Sequence, residues 1–117
     1  MSGANKCIFC QIVKKEIPAD IVYEDKDIIA FNDINPKAPV HIQLIPKKHI
    51  VSLAQAKEED RDLIAKLIWQ AKLLARQLGI AKRGYNLIMN CGKGAGQIVP
   101  HIHLHLIGGG DFSRWKI

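Results

Sequence analysis

Three histidines alternate with aliphatic residues in His101-Ile102-His103-Leu104-His105-Leu106-Ile107. In an extended chain, successive side chains point to opposite faces, so His101, His103 and His105 share one face and Ile102, Leu104 and Leu106 the other. Wound into a helix, the same residues scatter around the axis with no apolar stripe. The spacing predicts a strand with a greasy back and a row of imidazoles in front. Each imidazole carries two ring nitrogens that need partners when buried, so packing alone does not account for three in register. Such a row binds a metal, binds an anion, or does acid–base and nucleophilic work.

Directly upstream lies Gly92-Lys93-Gly94-Ala95-Gly96-Gln97. Glycine lets backbone N–H groups come close to an anion, because no Cβ intervenes. A glycine cluster by itself is usually only a turn. Placed between Asn90 and the histidine row, it reads as a phosphate site beside a nucleophile. An imidazole can attack phosphorus and form a phosphohistidine, dividing one hard displacement into two easier ones. A neighbouring histidine then stabilises charge on the phosphoryl oxygens or carries a proton.

Cys7 and Cys10 form a C-x-x-C pair with three readings. A redox motif sits at a helix start after a strand, and no strand is predicted before Cys7. Two free thiols are a second reading. Zinc is a third, and a tetrahedral site needs two further ligands. Cys91 reads as a small buried apolar residue.

These groups need a scaffold. Residues 7–15 suit a short helix, closed off by Ile17-Pro18. Residues 20–25 and 27–33 read as a hairpin around Glu24-Asp25-Lys26-Asp27, with Ile29, Phe31 and Asp33 on one face. Residues 34–39 contain two prolines and form a loop. Residues 41–46 alternate again, with His41 and Gln43 opposite Ile42 and Leu44. From about Lys57, apolar residues recur at helical spacing: Leu63, Ile64, Leu67, Ile68, Ala71, Leu74, Ala75 and Leu78. Glu58, Glu59 and Asp60 suit the positive end of that helix, and Gly79 suits its stop. Residues 86–91 read as a strand presenting Asn86, Ile88 and Asn90 together.

With 117 residues, 48% hydrophobic and 24% charged, the chain suits one globular domain spanning 1–117. No apolar run is long enough to cross a bilayer. The opening Met-Ser-Gly-Ala-Asn-Lys-Cys lacks an export segment's apolar core, so a reducing cytoplasm is expected. A net charge of +6 favours anionic partners. Arginine-rich runs with interleaved aromatics are absent, which argues against nucleic acid and leaves a small phosphate-bearing ligand.

The histidine run resembles the signature of the histidine triad proteins, in which three histidines alternate with apolar residues. The likeness extends to residues 7–25, 31–41, 45–50 and the glycine loop, which are similar to the Hint branch of nucleoside phosphoramidases. That resemblance implies an α+β fold: a five-stranded antiparallel sheet with one long and one short helix, joined to a second copy in a ten-stranded sheet. It implies cleavage of purine nucleoside phosphoramidates, AMP or GMP joined to an amine, by a homodimer. By the same resemblance, His103 is the nucleophile within the triad of His101, His103 and His105, and His41 orients the row. His105 and Asn90 hold phosphate, with the 94–98 loop including Gly96, Gln97 and Ile98. Asp33 takes the ribose hydroxyls, with Ile8, Phe9, Ile12, Ile17, Phe31 and Ile34 around the base. Zinc-containing members imply Cys7, Cys10, His49 and His101 as a structural site that braces the N-terminal segment without taking part in chemistry.

The chain departs from the pattern at Ile98, where serine or threonine is usual, and at Gln43, where an aliphatic residue lines the nucleotide pocket. Its tail keeps Trp115 but lacks the prolines that often follow. Three rival functions remain open: dinucleoside polyphosphate hydrolysis, a nucleotide-binding module with vestigial catalysis, and a zinc hydrolase using His101, His103 and His105 as ligands.

Overall fold

The computed structural model describes residues 7–115, and in it the hairpin signal becomes two antiparallel strands, β1 (Ile21–Glu24) and β2 (Ile28–Asn32). Asp25 builds the turn between them. One carboxylate oxygen accepts the amides of Asp27 (2.8 Å) and Ile28 (2.9 Å), and the other accepts the Tyr23 hydroxyl (2.6 Å). This is the local side-chain-to-backbone bonding that makes Asp a turn former. Residues 1–6, on which the expectation about export rested, and Lys116 and Ile117 of the tail lie outside the described residues.

β2 pairs with β3 (Val40–Pro46), β3 with β5 (Leu104–Gly108), and β5 with β4 (Tyr85–Ile88). The order β1-β2-β3-β5-β4 is antiparallel throughout. A short helix α1 (Ile8–Val13) and a long helix α2 (Arg61–Gln77) complete the α+β fold expected from the sequence. Alternation divides the sheet into two buried faces. Ile28, Ala30, Ile42, Leu44, Leu104 and Leu106 pack on Leu67, Ala71, Leu74 and Ala75 of α2. On the other face, Ile29, Phe31 and Ile45 meet Cys7, Phe9, Cys10 and Ile12 from α1 and its start. Burying a side chain of this size contributes about 1.5–3 kcal/mol, so both helices are fixed to the sheet by their apolar stripes.

Some boundaries differ from expectation. The histidine strand starts at Leu104, leaving His101 and His103 in an extended lead-in. Proline explains it. Pro46 has no N–H for the ladder, so pairing of β3 with β5 ends at Leu44 and Leu104. Beyond that point the Pro46 carbonyl accepts from His101 Nε2 (2.8 Å), and the Ile102 amide donates to Ile50 instead (2.7 Å). The alternation persists without the ladder, since Ile102 still joins the α2-side core. Similarly, β4 stops at Ile88, and residues 89–91 run on towards the glycine loop. Helix α2 begins at Arg61 rather than Lys57, because Glu58–Asp60 form a tighter 3₁₀ turn closed by Asp60 on the Lys57 amide (2.9 Å). Ile68 and Leu78 of the expected stripe are exposed, and Gln70 is buried in their stead. Gly79, with φ +76°, ends the helix as expected.

Candidate active site

Hydrogen-bond partners determine which ring nitrogen carries the proton in each neutral imidazole. His103 Nδ1 lies 2.8 Å from the His101 carbonyl, which can only accept. Nδ1 therefore donates, and Nε2 keeps a bare lone pair. At His41 the pattern is reversed. Its Nδ1 accepts the Lys37 amide (3.0 Å), so Nε2 bears the hydrogen and donates to His105 Nδ1 (2.9 Å). His105 must then carry its own hydrogen on Nε2. The His103 and His105 rings stand 5.0 Å apart, which places a nucleophile and a donor side by side. Burial, then the neighbouring His103 and His41, hold His105 down to about 4 against the pull of Asp33. It is neutral at physiological pH and keeps the relay in this form. Burial lowers His41 too, opposed by Asp33 and assisted by Lys37.

Asp33 sits at the start of the same relay. Its Oδ2 accepts from Gln43 Nε2 (2.7 Å) and lies 3.4 Å from His41 Nε2, and its Oδ1 accepts the Asn35 amide (2.8 Å). Burial works against its ionisation. The Asn35 amide, the Gln43 side chain and the nearby His41 and His105 outweigh that penalty and hold the carboxyl below its ordinary value. Gln43 Oε1 is the one buried side-chain polar atom without a partner among the described residues.

These groups open onto a cleft of about 570 Å³. Of the residues expected from sequence, it is lined by Phe9, Asp33, His41, Gln43, Asn90, Gly96, Ile98, His103 and His105. Others lie apart from it. Phe31 of β2 and Ile12 of α1 are buried together between sheet and helix with Ile17 packed beside them, and Ile8 and Ile34 are exposed, Ile34 by 90%. His101 is fully buried behind the cleft. Gln97 turns inward. Its side chain accepts the Gly92 amide (2.8 Å) and donates to the carbonyls of Val51 (2.7 Å) and Val99 (3.0 Å), so it braces the loop.

The glycine loop is a 3₁₀ turn, Lys93–Ala95, bounded by Gly92 and Gly96, both at φ +91°. A side chain at either position would be strained. The amides of Ala95, Gly96 and Gln97 return to carbonyls of Gly92 and Lys93. Those of Ile98 and Val99, both residues of the cleft lining, make no bond among the described residues. Asn90 Nδ2 donates to the Ala95 carbonyl (2.8 Å) and holds the loop over the cleft.

Asn35, Lys37, Ile88, Val99, Ile107 and Trp115 also line the cleft and were missed as site residues. Ile88 could have been found, since it shares a face with Asn90. Asn35 and Lys37 belong to a loop whose course the sequence does not dictate. Trp115 is brought back by the tail, where it packs on Phe112.

Behind the row lies a second constellation. The Sγ atoms of Cys7 and Cys10 and the Nδ1 atoms of His49 and His101 all lie within 4.8 Å of one another. Four of the separations are 3.5 Å (Cys7 to His101), 3.6 Å (Cys10 to His101), 3.1 Å (Cys10 to His49) and 3.2 Å (His49 to His101). A tetrahedron with zinc–sulfur bonds near 2.3 Å and zinc–nitrogen bonds near 2.0–2.1 Å has edges of about 3.3–3.8 Å. The donor chemistry fits as well. His101 Nε2 donates to Pro46, so its Nδ1 faces the thiols as a lone pair, oriented by an outer hydrogen bond as metal-bound histidines are. The residues present could hold a metal ion. Burial and the neighbouring Cys7 push the Cys10 thiol up to about 11, so a cation would have to displace its proton. No metal-ligand cluster among the described residues contains His103, which argues against the three-histidine zinc hydrolase.

The HIT domain model matches residues 14–112. An uncharacterised HIT-like protein from Synechocystis is 48% identical over 110 residues, 94% of this chain and 96% of that one. A HIT family hydrolase from Legionella pneumophila, known by crystal structure, superposes with a TM-score of 0.89 at 48% identity, covering 91% of this chain and 95% of its own. A histidine triad nucleotide-binding protein from Candida albicans gives a TM-score of 0.77 at 31% identity, covering 93% and 89%.

Proposed function

Since the chain belongs to the HIT family, we propose that it is a nucleotide hydrolase or transferase that cleaves a purine nucleoside monophosphate from an amine. One observation carries this reading: the opposed tautomers that set a bare Nε2 on His103 beside an N–H on His105. His103 Nε2 attacks phosphorus, the phosphorus–nitrogen bond breaks, and the amine leaves with its electron pair and takes up a proton. Water then attacks the nucleotidyl-histidine, releasing AMP or GMP and returning the lone pair to His103. His105 Nε2–H, backed by His41, and the free amides of Ile98 and Val99 would meet the charge on the phosphoryl oxygens. Asp33 retains an acceptor site for a ribose hydroxyl, and Phe9 offers a ring to the nucleotide.

The nucleotide-binding relative from Candida albicans and the hydrolase from Legionella pneumophila support the ligand and reaction classes. Zinc in the Cys7, Cys10, His49 and His101 site would supply structural cross-linking when bound, tying α1 to the sheet. A homodimer with a ten-stranded sheet is supported by the open edge of β4 and by exposed Leu87, with Ile68 and Trp69 on α2. No helix among the described residues is long and apolar enough to cross a membrane.

The test is AMP release from an adenosine phosphoramidate and, separately, from a diadenosine polyphosphate. Faster release from the phosphoramidate is expected. The reverse order would move the chain to polyphosphate hydrolysis, and inertness towards both, with AMP still bound, would make it a binding module.

A further inference from the structure

We propose that the Cys7–Cys10–His49–His101 cluster is a positioning device for the nucleophile, acting on His103 through the His101 peptide. The inference rests on the reading of His103 as nucleophile and of the cluster as a metal site. It departs from the view of that site as a brace alone.

Every part of His101 is committed. Its Nε2 donates to Pro46 (2.8 Å), its Nδ1 faces the two thiols and His49, and its carbonyl accepts from His103 Nδ1 (2.8 Å). That last bond places the His103 proton on Nδ1 and bares Nε2. A free neutral imidazole prefers the opposite tautomer, with its proton on Nε2, so the protein must impose the reactive form. What imposes it is a carbonyl in the lead-in to β5, where no ladder partner restrains the backbone. There the amides of His101 and Ile102 bond to the carbonyls of Val99 (2.8 Å) and Ile50 (2.7 Å), and side-chain anchors complete the placement of residues 101 and 103.

The anchors converge on the cluster. Cys7 and Cys10 flank Phe9, whose ring packs edge-on against both His101 (centroids 5.9 Å) and His103 (5.2 Å) and also lines the cleft. Closing the cluster therefore fixes the His103 ring from two directions: its proton acceptor through His101, and its packing partner through α1. Opening it releases both. The His41–His105 relay hangs from Lys37 and has no part in the cluster. Phosphate binding should survive when the nucleophile is disturbed.

The experiment compares full-length zinc-loaded protein with Cys7→Ser/Cys10→Ser and with the milder His49→Asn. Ring ¹⁵N shifts of His103 are recorded by NMR, together with kcat and KM on an adenosine phosphoramidate. Wild type should show protonated Nδ1 and bare Nε2 at His103. In folded, metal-free variants that pattern should average between the tautomers, with kcat down about tenfold to a hundredfold, the scale of a small misplacement, and KM within about twofold. Zinc added back to the wild-type apoprotein should restore the wild-type pattern. Wild type that binds no zinc, or a folded metal-free variant whose His103 shifts are unchanged, overturns the proposal. The NMR readout does not depend on turnover. An inert wild type with a metal-sensitive His103 tautomer would count against the proposed reaction while supporting this coupling.

Discussion

Replacing Ile98 by serine separates two contributions to leaving-group chemistry. Ile98 lines the cleft yet is 91% exposed, so the substitution should leave stability within about 0.5 kcal/mol. Any change in rate then belongs to substrate and transition state. A serine hydroxyl that donates to a developing charge contributes about 1–2 kcal/mol, or about 5- to 30-fold. Against this stands a lost apolar contact. Full burial of an isoleucine is worth about 1.5–3 kcal/mol, and covering about half of it with a bulky amine is worth roughly 1 kcal/mol. For a small polar amine the hydroxyl wins, and kcat/KM should rise about 5- to 30-fold. For a large aromatic amine the two nearly cancel, leaving a change under about fivefold. Steady-state kinetics on two AMP phosphoramidates, one of each kind, together with thermal melting, provide the assay. A rate ratio identical for both amines, or a fall on the small one at unchanged melting temperature, would refute the reasoning.

His103→Ala should abolish phosphoramidate turnover while AMP still binds by calorimetry; substantial turnover would remove it as nucleophile. Purified protein should carry about one zinc per chain, held less tightly as pH falls because both thiols must deprotonate; elemental analysis after chelator-free preparation decides. Asp25, held below its ordinary carboxyl value by Tyr23, the Asp27 and Ile28 amides and Lys66 in spite of burial, stabilises the fold above its unfolded value near 3.8 and loses that contribution as pH falls through its lower native value. Asp25→Asn should therefore cost about 1–3 kcal/mol at neutral pH, with the gap to wild type closing in denaturation curves taken below about pH 4. Gln43→Leu removes both the bond to Asp33 and the unpartnered Oε1; these nearly cancel, and a loss above about 2 kcal/mol would mean that Oε1 is well satisfied.

The sheet, both helices and the cleft's imidazoles were legible because period-two and helical spacing report directly which face is buried. The resemblance carried further, pointing to Cys7, Cys10, His49 and His101 as one cluster although 94 residues separate its ends. Strand ends were less legible. Pro46 acts on β5, its neighbour in space, and nothing local to His101 or His103 records that the ladder stops before them. The course of the Gln97 side chain was illegible for a related reason. A polar side chain after a glycine loop can face a ligand or fold inward, and the choice lies with the carbonyls of Val51 and Val99, one of them 46 residues away. The tautomers were the least visible. They depend on which carbonyl, amide or neighbouring ring faces each imidazole, a property of the folded arrangement.

The net charge of +6 suggests that anions bind through lysines, but few of those charges are free at the site. Lys15 and Lys47 pair with Glu24, Lys48 with Asp60, and Lys66 with Asp25 and Asp27, all of them outside the cleft lining. Lys37 is the one lysine or arginine among the lining residues. Phosphate would thus be met mainly by neutral donors: the His105 Nε2–H and the amides of Ile98 and Val99. Such donors suit a single phosphoryl group whose charge grows and spreads in the transition state. A chain of phosphates brings several full charges into the same space, and those are held by arginines, lysines or bound cations. One part of the lining is apolar, with Ile88, Ile98, Val99, Ile107 and Trp115, beside the polar Asp33, Asn35, Gln43 and Asn90. An amine carrying an apolar group is compatible with that wall. The scarcity of cationic side chains around the cleft is therefore in keeping with the proposed amine leaving group.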